Sequence, residues 1–471
     1  MNIQILAFRL RPLAAGAVAL LLAGCASFSS DGGLNAVSDL TAERIGQPVR
    51  FEQGAAGTHA LTVQRLLAEP LTPDSAVQIA LLNNRGLQAA LAELGIAEAD
   101  LVQAGRIANP GFTFGRIRGA EGAVEIERAI GFDLIGLLTM PLRTEIEGRR
   151  FEQAKTQAAA QAVRTAIETR KAYFNAIAAQ QTAEYMEQVG EAAATSAELA
   201  RRMAAVGNWS KLDQAREQAF YSEATAQIAR ARHNAVAARE HLARMLGLWG
   251  DQTDFNLPQR LPELPQQPAE SQGIEQLAIA QRLDLQIARR DAEATAGALG
   301  LTRRTGFINV LHASYTNRSE TGEPRANGYE IELALPLFDW GTARSARAEA
   351  IYMQSVHRVE DVAVQARSQV REAYSAYRTA YDLAKHYRDE VVPLRQQIAD
   401  EMVLRYNGML IGVFELLADA RTQIASVNAA IEAQRDFWLA QSDLQMAISG
   451  TGGNALQMRA GPVAEAGGAG H

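Results

Sequence analysis

The chain has 471 residues, a formal net charge of −7 and a composition that is 48% hydrophobic and 21% charged. These values are typical of a folded protein with two or three domains, and they exclude a fibrous or wholly disordered chain. The acidic balance argues against nucleic acid as a main partner, because phosphate binding requires clustered lysine and arginine side chains.

The N-terminus has the pattern of an export signal over residues 1–24. Arg9 and Arg11 precede an apolar run over residues 13–23, which is shorter than the ~20 residues of a membrane-spanning helix. Residues 22–25, Leu-Ala-Gly-Cys, resemble the lipobox of bacterial lipoproteins, which implies that Cys25, the only cysteine in the chain, carries a lipid. The alternative is a thiol inside a signal peptide that is removed whole.

The rest of the chain is predicted to contain two copies of one unit. We expect an acylated extended segment over residues 25–72, a first repeat over 73–256, a proline-rich linker over 257–270, a second repeat over 271–450 and a disordered tail over 451–471. Leu87 recurs as Leu285, 198 positions later, and Gly136 recurs as Gly341, 205 positions later. Because several such matches keep their order along the chain, they indicate a duplication.

Each repeat is predicted to contain a first helix, two strands and a long helical hairpin. The first helices cover residues 73–106 and 272–304. Residues 143–206 contain no proline and are rich in strong helix formers, whereas residues 342–406 contain Pro393, which should kink the helix. Helices of this length need lateral partners, so we expect coiled-coil packing.

The predicted strands alternate between apolar and acidic residues. Over residues 124–134 and 329–337 the apolar side chains share one face, with Arg128 as the exception. The carboxylates of the other face are Glu125, Glu127, Asp133, Glu330 and Glu332. This pattern fits either a water-facing antiparallel sheet or a membrane barrel with its acidic face toward the lumen.

A counting argument favours the barrel. Four strands per chain are too few to close a membrane barrel, for which about eight is the minimum. Open sheet edges are not tolerated in lipid, because their backbone groups would stay unpaired. Three copies would supply twelve strands, so we predict a homotrimer whose strands close one barrel and whose long helices lie side by side.

Two short segments are predicted to turn the helical hairpins: residues 206–210, VGNWS, followed by Leu212-Asp213, and the segment between Arg405-Tyr406 and Glu415-Leu416-Leu417. Together with residues 329–341, YEIELALPLFDWG, they resemble segments of the TolC-like outer-membrane efflux family, lipoprotein branch. The resemblance covers roughly residues 73–450. The predicted fold class is therefore mainly α with a small β part: a duplicated helix–strand–strand–helix–helix unit with coiled-coil hairpins and four strands that complete a trimeric barrel.

The resemblance implies an outer-membrane exit duct of a tripartite efflux system, passing small molecules, drugs or metal ions. The implied partners are a periplasmic adaptor, an inner-membrane pump of the RND type and outer-membrane lipid. The implied sites are hairpin turns at Gly207, Ser210, Gly408 and Gly412, a periplasmic entrance narrowed by Asp213 and Glu415, and a lumen lined by the strand carboxylates. Met409 departs from the family pattern, because it occupies a position where glycine is usual.

Several alternatives stay open at this stage. Asp213 and Glu415 are equally explained as solvated residues near the positive start of a helix. The same architecture serves type I protein secretion, and a periplasmic adaptor is a further class, although two hairpins count against it. The sequence contains no HExxH motif, no phosphate-binding glycine loop and no serine nucleophile elbow. We therefore predict no catalytic residue, no metal site, no cofactor and no enzymatic activity.

Overall fold

A computed structural model describes residues 27–46, 49, 51, 56–119, 122–270, 273–306, 310–334 and 337–452. The predicted signal peptide over residues 1–24, Cys25 and all but the first two residues of the predicted tail lie outside the described residues. The chain divides into two compact units. One unit contains the strands, and the other contains the ends of the helical hairpins.

The described residues form eleven α-helices and four strands, in the predicted order within each repeat. The helices are α1 Leu34–Ile45, α2 Ala56–Leu67, α3 Pro73–Asn83, α4 Arg85–Ala104, α5 Leu134–Ala205, α6 Lys211–Leu246, α7 Ile274–Gln281, α8 Leu283–Arg304, α9 Thr342–His386, α10 Val392–Asn407 and α11 Val413–Ser449. The strands are β1 Gly111–Arg118, β2 Val124–Asp133, β3 Leu311–Glu320 and β4 Ala326–Leu333. The predicted mainly α fold with a small sheet is confirmed.

The N-terminal segment is not extended as predicted, because α1 and α2 both lie within residues 25–72. Val37, Ile45 and Val63 are buried in these helices. The polar and glycine residues between them obscure this apolar spacing in the sequence. Burial of a few large side chains is enough to hold a short helix against its neighbours.

The first helix of each repeat is broken once rather than continuous. Asn84 interrupts this helix in the first repeat and Arg282 interrupts it in the second, and both residues have extended backbone geometry. The Asn84 Nδ2 donates to the carbonyl oxygen of Met245 (2.9 Å), and the Arg282 Nη1 donates to that of Ala447 (2.9 Å). Each break is therefore tied to the C-terminal end of the hairpin in its own repeat, which supports the duplication.

The break in the second repeat is charged and buried. Arg282 forms two hydrogen bonds to the carboxylate of Asp284, of 3.0 and 2.6 Å, and a third to Gln369 (2.8 Å). Both side chains of the pair are less than 5% exposed. A buried ion pair is stable only when its remaining donors are satisfied, and the carbonyl and amide partners of Arg282 meet that condition.

The long helices follow the prediction with two differences. The first, α5, begins at Leu134 rather than residue 143 and contains Pro141. The second long stretch is interrupted by a π-helical turn, Tyr387–Val391, directly before α10, whose second residue is Pro393. A proline removes one helical hydrogen bond and crowds the preceding turn. A π turn inside an α-helix is rare, and like proline it is a recognised site of helix kinking.

Aromatic and small side chains form the core of the hairpin unit. Tyr173, Ile177, Leu242 and Phe255 are among its buried members. The proline-rich linker lies against this unit: the Trp438 Nε1 donates to the carbonyl oxygen of Pro262 (3.1 Å), and hydroxyls of Tyr374 and Tyr381 donate to other linker carbonyls. Within the described part of the chain, no helix combines the length and apolarity that a bilayer crossing requires.

Candidate functional sites: the two-faced sheet and the hairpin ends

The four strands form one antiparallel sheet in the order β1-β2-β3-β4. In an antiparallel pair, residues directly opposite each other project to the same face. The pairing Phe112–Ile130–Tyr315–Tyr329 therefore marks one face, and the pairing Asp133–His312–Glu332 marks the other. We call these the apolar face and the polar face.

The polar face contains all five carboxylates that the sequence predicts for a lumen. Its members across the strands include Thr113, Glu125, Glu127, Asp133, His312, Ser314, Thr316, Arg318, Glu320, Glu330 and Glu332. Glu125 forms an ion pair with Arg318, and the carboxylate of Asp133 accepts a hydrogen bond from the backbone N–H of Gly136 (2.9 Å) at the start of α5. The register thus brings the predicted carboxylates together on one surface.

The apolar face is exposed along its length. The side chains involved are Phe112, Phe114, Ile130, Phe132, Tyr315, Tyr329, Ile331 and Leu333, with exposed fractions between 42% and 85%. Exposed apolar patches of this kind mark contact with lipid or with another protein. Arg128, the predicted exception, lies opposite Asn317 and donates to its side-chain oxygen (3.1 Å).

The first hairpin turn has residues suited to every position. Helix α5 ends with the backbone N–H of Asn208 bonded to Met203 (3.0 Å) and that of Gly207 bonded to Ala204 (3.1 Å). This Schellman pattern needs a left-handed residue, and Gly207 supplies it with φ +78°. Ser210 then caps α6, because its hydroxyl oxygen accepts from the backbone N–H of Asp213 (3.1 Å).

The second turn has the same backbone path with less suitable residues. The N–H of Leu410 bonds to Arg405 and that of Met409 to Tyr406, both at 2.9 Å. Met409 takes the left-handed position with φ +55°, and it is the only non-glycine residue with positive φ among those described. Gly412 stands at the start of α11 without a side-chain cap. Gly408, beside Met409, has φ −78°, so the adjacent glycine does not take the left-handed position.

The two acidic residues at the hairpin ends have different surroundings. The carboxylate of Asp213 accepts from the hydroxyl of Ser210 (2.7 Å) and lies 3.5 Å from Arg216. Glu415 is exposed and has no hydrogen-bond or ion-pair partner among the described residues. The local cap therefore accounts for Asp213 without a channel role. Glu415 has no such partner, but it lies in the first turn of α11, where a carboxylate is favourable near the positive helix start.

Contacts between the two hairpins bring their ends together. The rings of Trp209 and Phe414 lie 4.6 Å apart. Further along, Glu217 is 2% exposed and accepts from Arg421 (2.9 Å) and from the hydroxyl of Ser196 (2.8 Å). The Arg421 guanidinium also lies 4.3 Å from the centre of the Phe220 ring. This group, which we call the hairpin clasp, joins α5, α6 and α11.

The hairpin clasp is a feature that the sequence analysis misses. Glu217 lies one turn after Asp213, and Arg421 lies among ordinary surface positions of α11. The one available signal is an acidic residue on the buried side of an alanine-rich helix, which requires a cation nearby. The identity of that cation depends on which helices pair and in what register. Glu217 and Arg421 are about 200 residues apart, and a single sequence does not reveal how their helices align.

Metal-binding geometry is a separate question. The residues that the structure describes contain no group of three or more histidine, cysteine, aspartate or glutamate side chains arranged to hold a metal ion. His312 is flanked by Asp133 and Glu332 in the register of the sheet, but this row does not form such a group. The structure does bring together the carboxylates of the polar face and the residues of the hairpin clasp.

Comparisons with known proteins identify the fold. No family model and no curated protein matches the chain. Among solved structures, a membrane protein from Pseudomonas aeruginosa matches with a TM-score of 0.69 and 22% identity, covering 82% of this chain and 93% of that one. The Campylobacter jejuni CmeC outer membrane channel matches with a TM-score of 0.69 and 16% identity, covering 80% and 86%.

A third match is the outer membrane protein VceC of Vibrio cholerae, with a TM-score of 0.65 and 16% identity, covering 80% of this chain and 96% of that one. The names of these neighbours describe a membrane protein, an outer membrane channel and an outer membrane protein. The predicted resemblance to TolC-like outer-membrane efflux proteins is confirmed at the level of the fold: this chain folds as these outer-membrane channel proteins do.

Proposed function

We propose that three copies of this chain form the outer-membrane exit duct of a tripartite efflux system. The observation that carries the proposal is the sheet: one face is acidic, the other is apolar and exposed, and β1 and β4 are edge strands with no further partner among the described residues. A sheet with an apolar side, a polar side and open edges is suited to closure with other copies in lipid.

The direction of the strands permits closure with further copies of the chain. In a four-stranded antiparallel sheet the first and last strands run in opposite directions. The last strand of one copy can therefore pair antiparallel with the first strand of the next, and three copies give twelve strands. In that arrangement the polar face, with Glu125, Glu127, Asp133, Glu330 and Glu332, lines the lumen.

The hairpin ends are proposed as the periplasmic entrance. Three copies of Asp213 and Glu415 would form an acidic surface around the passage, and like charges held close together attract cations. The entrance would meet a periplasmic adaptor and an inner-membrane pump of the RND type, which supplies the energy. The proposed cargo is small molecules, drugs or metal ions.

Planar lipid bilayers test the duct directly. The detergent-purified protein is expected to be a trimer and to form cation-preferring pores. Glu330→Gln/Glu332→Gln should reduce the cation preference, because both carboxylates are exposed on the polar face. Glu69→Gln/Asp251→Asn removes the same charge from exposed positions outside the sheet and should leave it unchanged. A monomer that forms no pore would end the proposal.

The entrance has its own test. Glu415→Gln removes a free carboxylate without disturbing a helix cap and should lower cation preference in the same bilayers. Asp213→Asn removes the second carboxylate but keeps a side-chain oxygen beside Ser210. The double variant Asp213→Asn/Glu415→Gln should lower the cation preference further than Glu415→Gln alone. An unchanged preference in the double variant would mean that these residues serve only as helix-start residues.

Cargo and anchor need experiments in cells. Deleting the gene and testing growth on a panel of metals, dyes and antibiotics identifies the exported class by increased sensitivity. Mass spectrometry of the mature N-terminus tests whether Cys25 carries acyl groups, and Cys25→Ser should abolish that added mass. An unmodified mature N-terminus would refute the anchor while leaving the duct proposal intact.

A further inference from the structure

Charged residues of the sheet are sorted between its two faces. All six strand carboxylates belong to the polar face: Glu125, Glu127, Asp133, Glu320, Glu330 and Glu332. Three of the four strand arginines, Arg116, Arg118 and Arg128, belong to the apolar face, and no strand carboxylate accompanies them. An apolar surface that excludes acidic groups but keeps three arginines is suited to a partner that combines apolar and anionic parts.

The three arginines lie at one end of the apolar face. Arg116 and Arg118 are the last residues of that face on β1, close to the β1–β2 turn, and Arg128 lies across from Phe114. The aromatic rows, marked by Phe112 and Phe132, lie toward the opposite end of the strands. The face therefore changes along the strand direction from apolar to cationic.

The cationic end is available for binding. Arg116 and Arg118 are exposed and have no hydrogen-bond or ion-pair partner in the described part of the chain. Arg128 is half-buried and donates to Asn317 (3.1 Å), which donates in turn to Asn327 (2.6 Å). On β2, β3 and β4 this polar row separates the aromatic rows from the rows of the free arginines, while its β1 position is Phe114.

We propose that Arg116, Arg118 and Arg128 bind the phosphate of a lipid headgroup, while the acyl chains of that lipid cover the aromatic rows of the same face. This inference rests on the proposed function, in which the apolar face turns toward lipid. Arginine suits the task because its planar guanidinium pairs with phosphate through two hydrogen bonds. A free phosphate ion would make no use of the adjoining apolar rows, so a lipid is the occupant that fits both parts.

Native mass spectrometry of the detergent-purified protein measures the binding. The probe is phosphatidic acid, compared with phosphatidylcholine of the same acyl chains. Wild type is expected to retain phosphatidic acid with a clear preference. Arg116→Gln/Arg118→Gln should weaken that retention on the order of 30-fold, since each basic residue near a lipid surface contributes roughly 5-fold. Arg116→Lys/Arg118→Lys keeps the charges but loses the paired hydrogen bonds, so its retention should lie between those of wild type and the glutamine variant.

A matched control separates a specific cluster from general charge. Arg347→Gln/Arg367→Gln removes two exposed, unpartnered arginines from α9 and should leave retention unchanged. Inorganic phosphate added at millimolar concentration should displace little lipid, because it lacks the apolar part. Retention of the trimer on size-exclusion chromatography verifies that each variant is folded.

Three outcomes would overturn the proposal. Equal losses in the two glutamine variants would show that only total charge matters. Full displacement by inorganic phosphate would show a free-anion site rather than a lipid site. No preference for phosphatidic acid in wild type would show that the face takes another occupant, such as an acidic protein. Conductance measured on the same samples keeps this test distinct, because all variants should still form pores if the proposed duct is correct.

Discussion

The two hairpin turns follow the same backbone path with different residues. In the first, Gly207 supplies the left-handed residue and Ser210 caps the next helix. In the second, Met409 is held in the left-handed region and Gly412 offers no side-chain cap. A methionine in this conformation costs about 1 kcal/mol or more relative to the right-handed helix, so local sequence does not by itself produce the second turn.

The difference indicates what holds the second turn in place. Trp209 of the first turn contacts Phe414 beside the second, and the Glu217–Arg421 pair follows at the next turns of the helices. A well-capped first turn can therefore act as a template for the less favourable second turn. We infer that the clasp and the aromatic contact compensate for the local strain at Met409.

The largest expected effect comes from removing the clasp. Arg421→Met leaves the carboxylate of Glu217 buried without its cation. A fully buried pair broken in this way costs about 3–5 kcal/mol; since Arg421 is 37% exposed, we expect about 2–3 kcal/mol. Hydrogen exchange should show increased opening of residues 403–412 more than of residues 203–210.

A second substitution makes that prediction specific. Glu217→Gln combined with Arg421→Met removes the uncompensated charge and should restore part of the lost protection. If the single variant exchanges as slowly as wild type at both turns, the clasp does not hold the second turn, and the template argument fails.

Exchanging the residues at the left-handed positions, Gly207 and Met409, tests directly whether they cause the difference between the two turns. Met409→Gly should stabilise the second turn by about 1 kcal/mol, and Gly207→Met should destabilise the first by a similar amount. A Cβ added at Gly207 meets no atom within 4 Å, so the effect there is conformational rather than steric. Local opening free energies from hydrogen exchange give both values, and a destabilising Met409→Gly would contradict the strain assigned to that residue.

The caps should produce a smaller and unequal pair of effects. Ser210→Ala removes the acceptor for the N–H of Asp213 and should cost about 1 kcal/mol. Gly412→Ser adds an acceptor in the S-x-x-E spacing with Glu415, and because glycine is already a fair cap the gain should be only a few tenths of a kcal/mol. Exchange rates of amides 211–215 and 413–417 measure these changes. Equal effects at the two turns would show that capping does not distinguish them.

The smallest difference concerns the acidic residues before each turn. Hydrogen bonds from Arg201 and Arg202 lower the pKa of Glu198 to about 2, whereas Glu401, which precedes the second turn, pairs with Arg405 alone (2.9 Å). Because the pKa of Glu198 is lowered, the stabilisation from its ion pairs is fully present at pH values above the ordinary pKa of glutamate. It is lost as the pH falls toward 2. Titration of labelled glutamate carboxyls by NMR should show Glu198 ionised below pH 3, and Arg201→Gln/Arg202→Gln should raise its pKa toward the ordinary value.

Periodicity predicts the main elements of this fold. The strand carboxylates from Glu125 to Glu332 fall on one face as the period of two requires, and all but the last residue of the predicted helical stretch 143–206 lies within a single helix, α5. The prediction fails where the signal is not periodic. The α1 and α2 helices are short and mixed in composition, and the breaks at Asn84 and Arg282 are set by hydrogen bonds to distant carbonyls.

Of the candidate sites, the sequence locates the turns and the acidic residues but not their surroundings. It correctly identifies Met409 as the unusual turn residue, yet only the structure shows that Met409 rather than Gly408 becomes left-handed. It places Asp213 and Glu415 at helix starts, yet it does not distinguish the capped side chain from the free one. The charge sorting between the two faces requires the register of all four strands, which no single strand contains.

The sequence by itself determined the duplicated plan, the alternation of each strand and the positions of the hairpin turns, because these depend on neighbours within a few residues. Tertiary structure alone decided the clasp between Glu217 and Arg421, the conformation of Met409 and the gathering of three arginines at one end of the apolar face. Each of these brings together residues that are distant in sequence. These contacts form only when the helices and strands pack against one another in the folded chain.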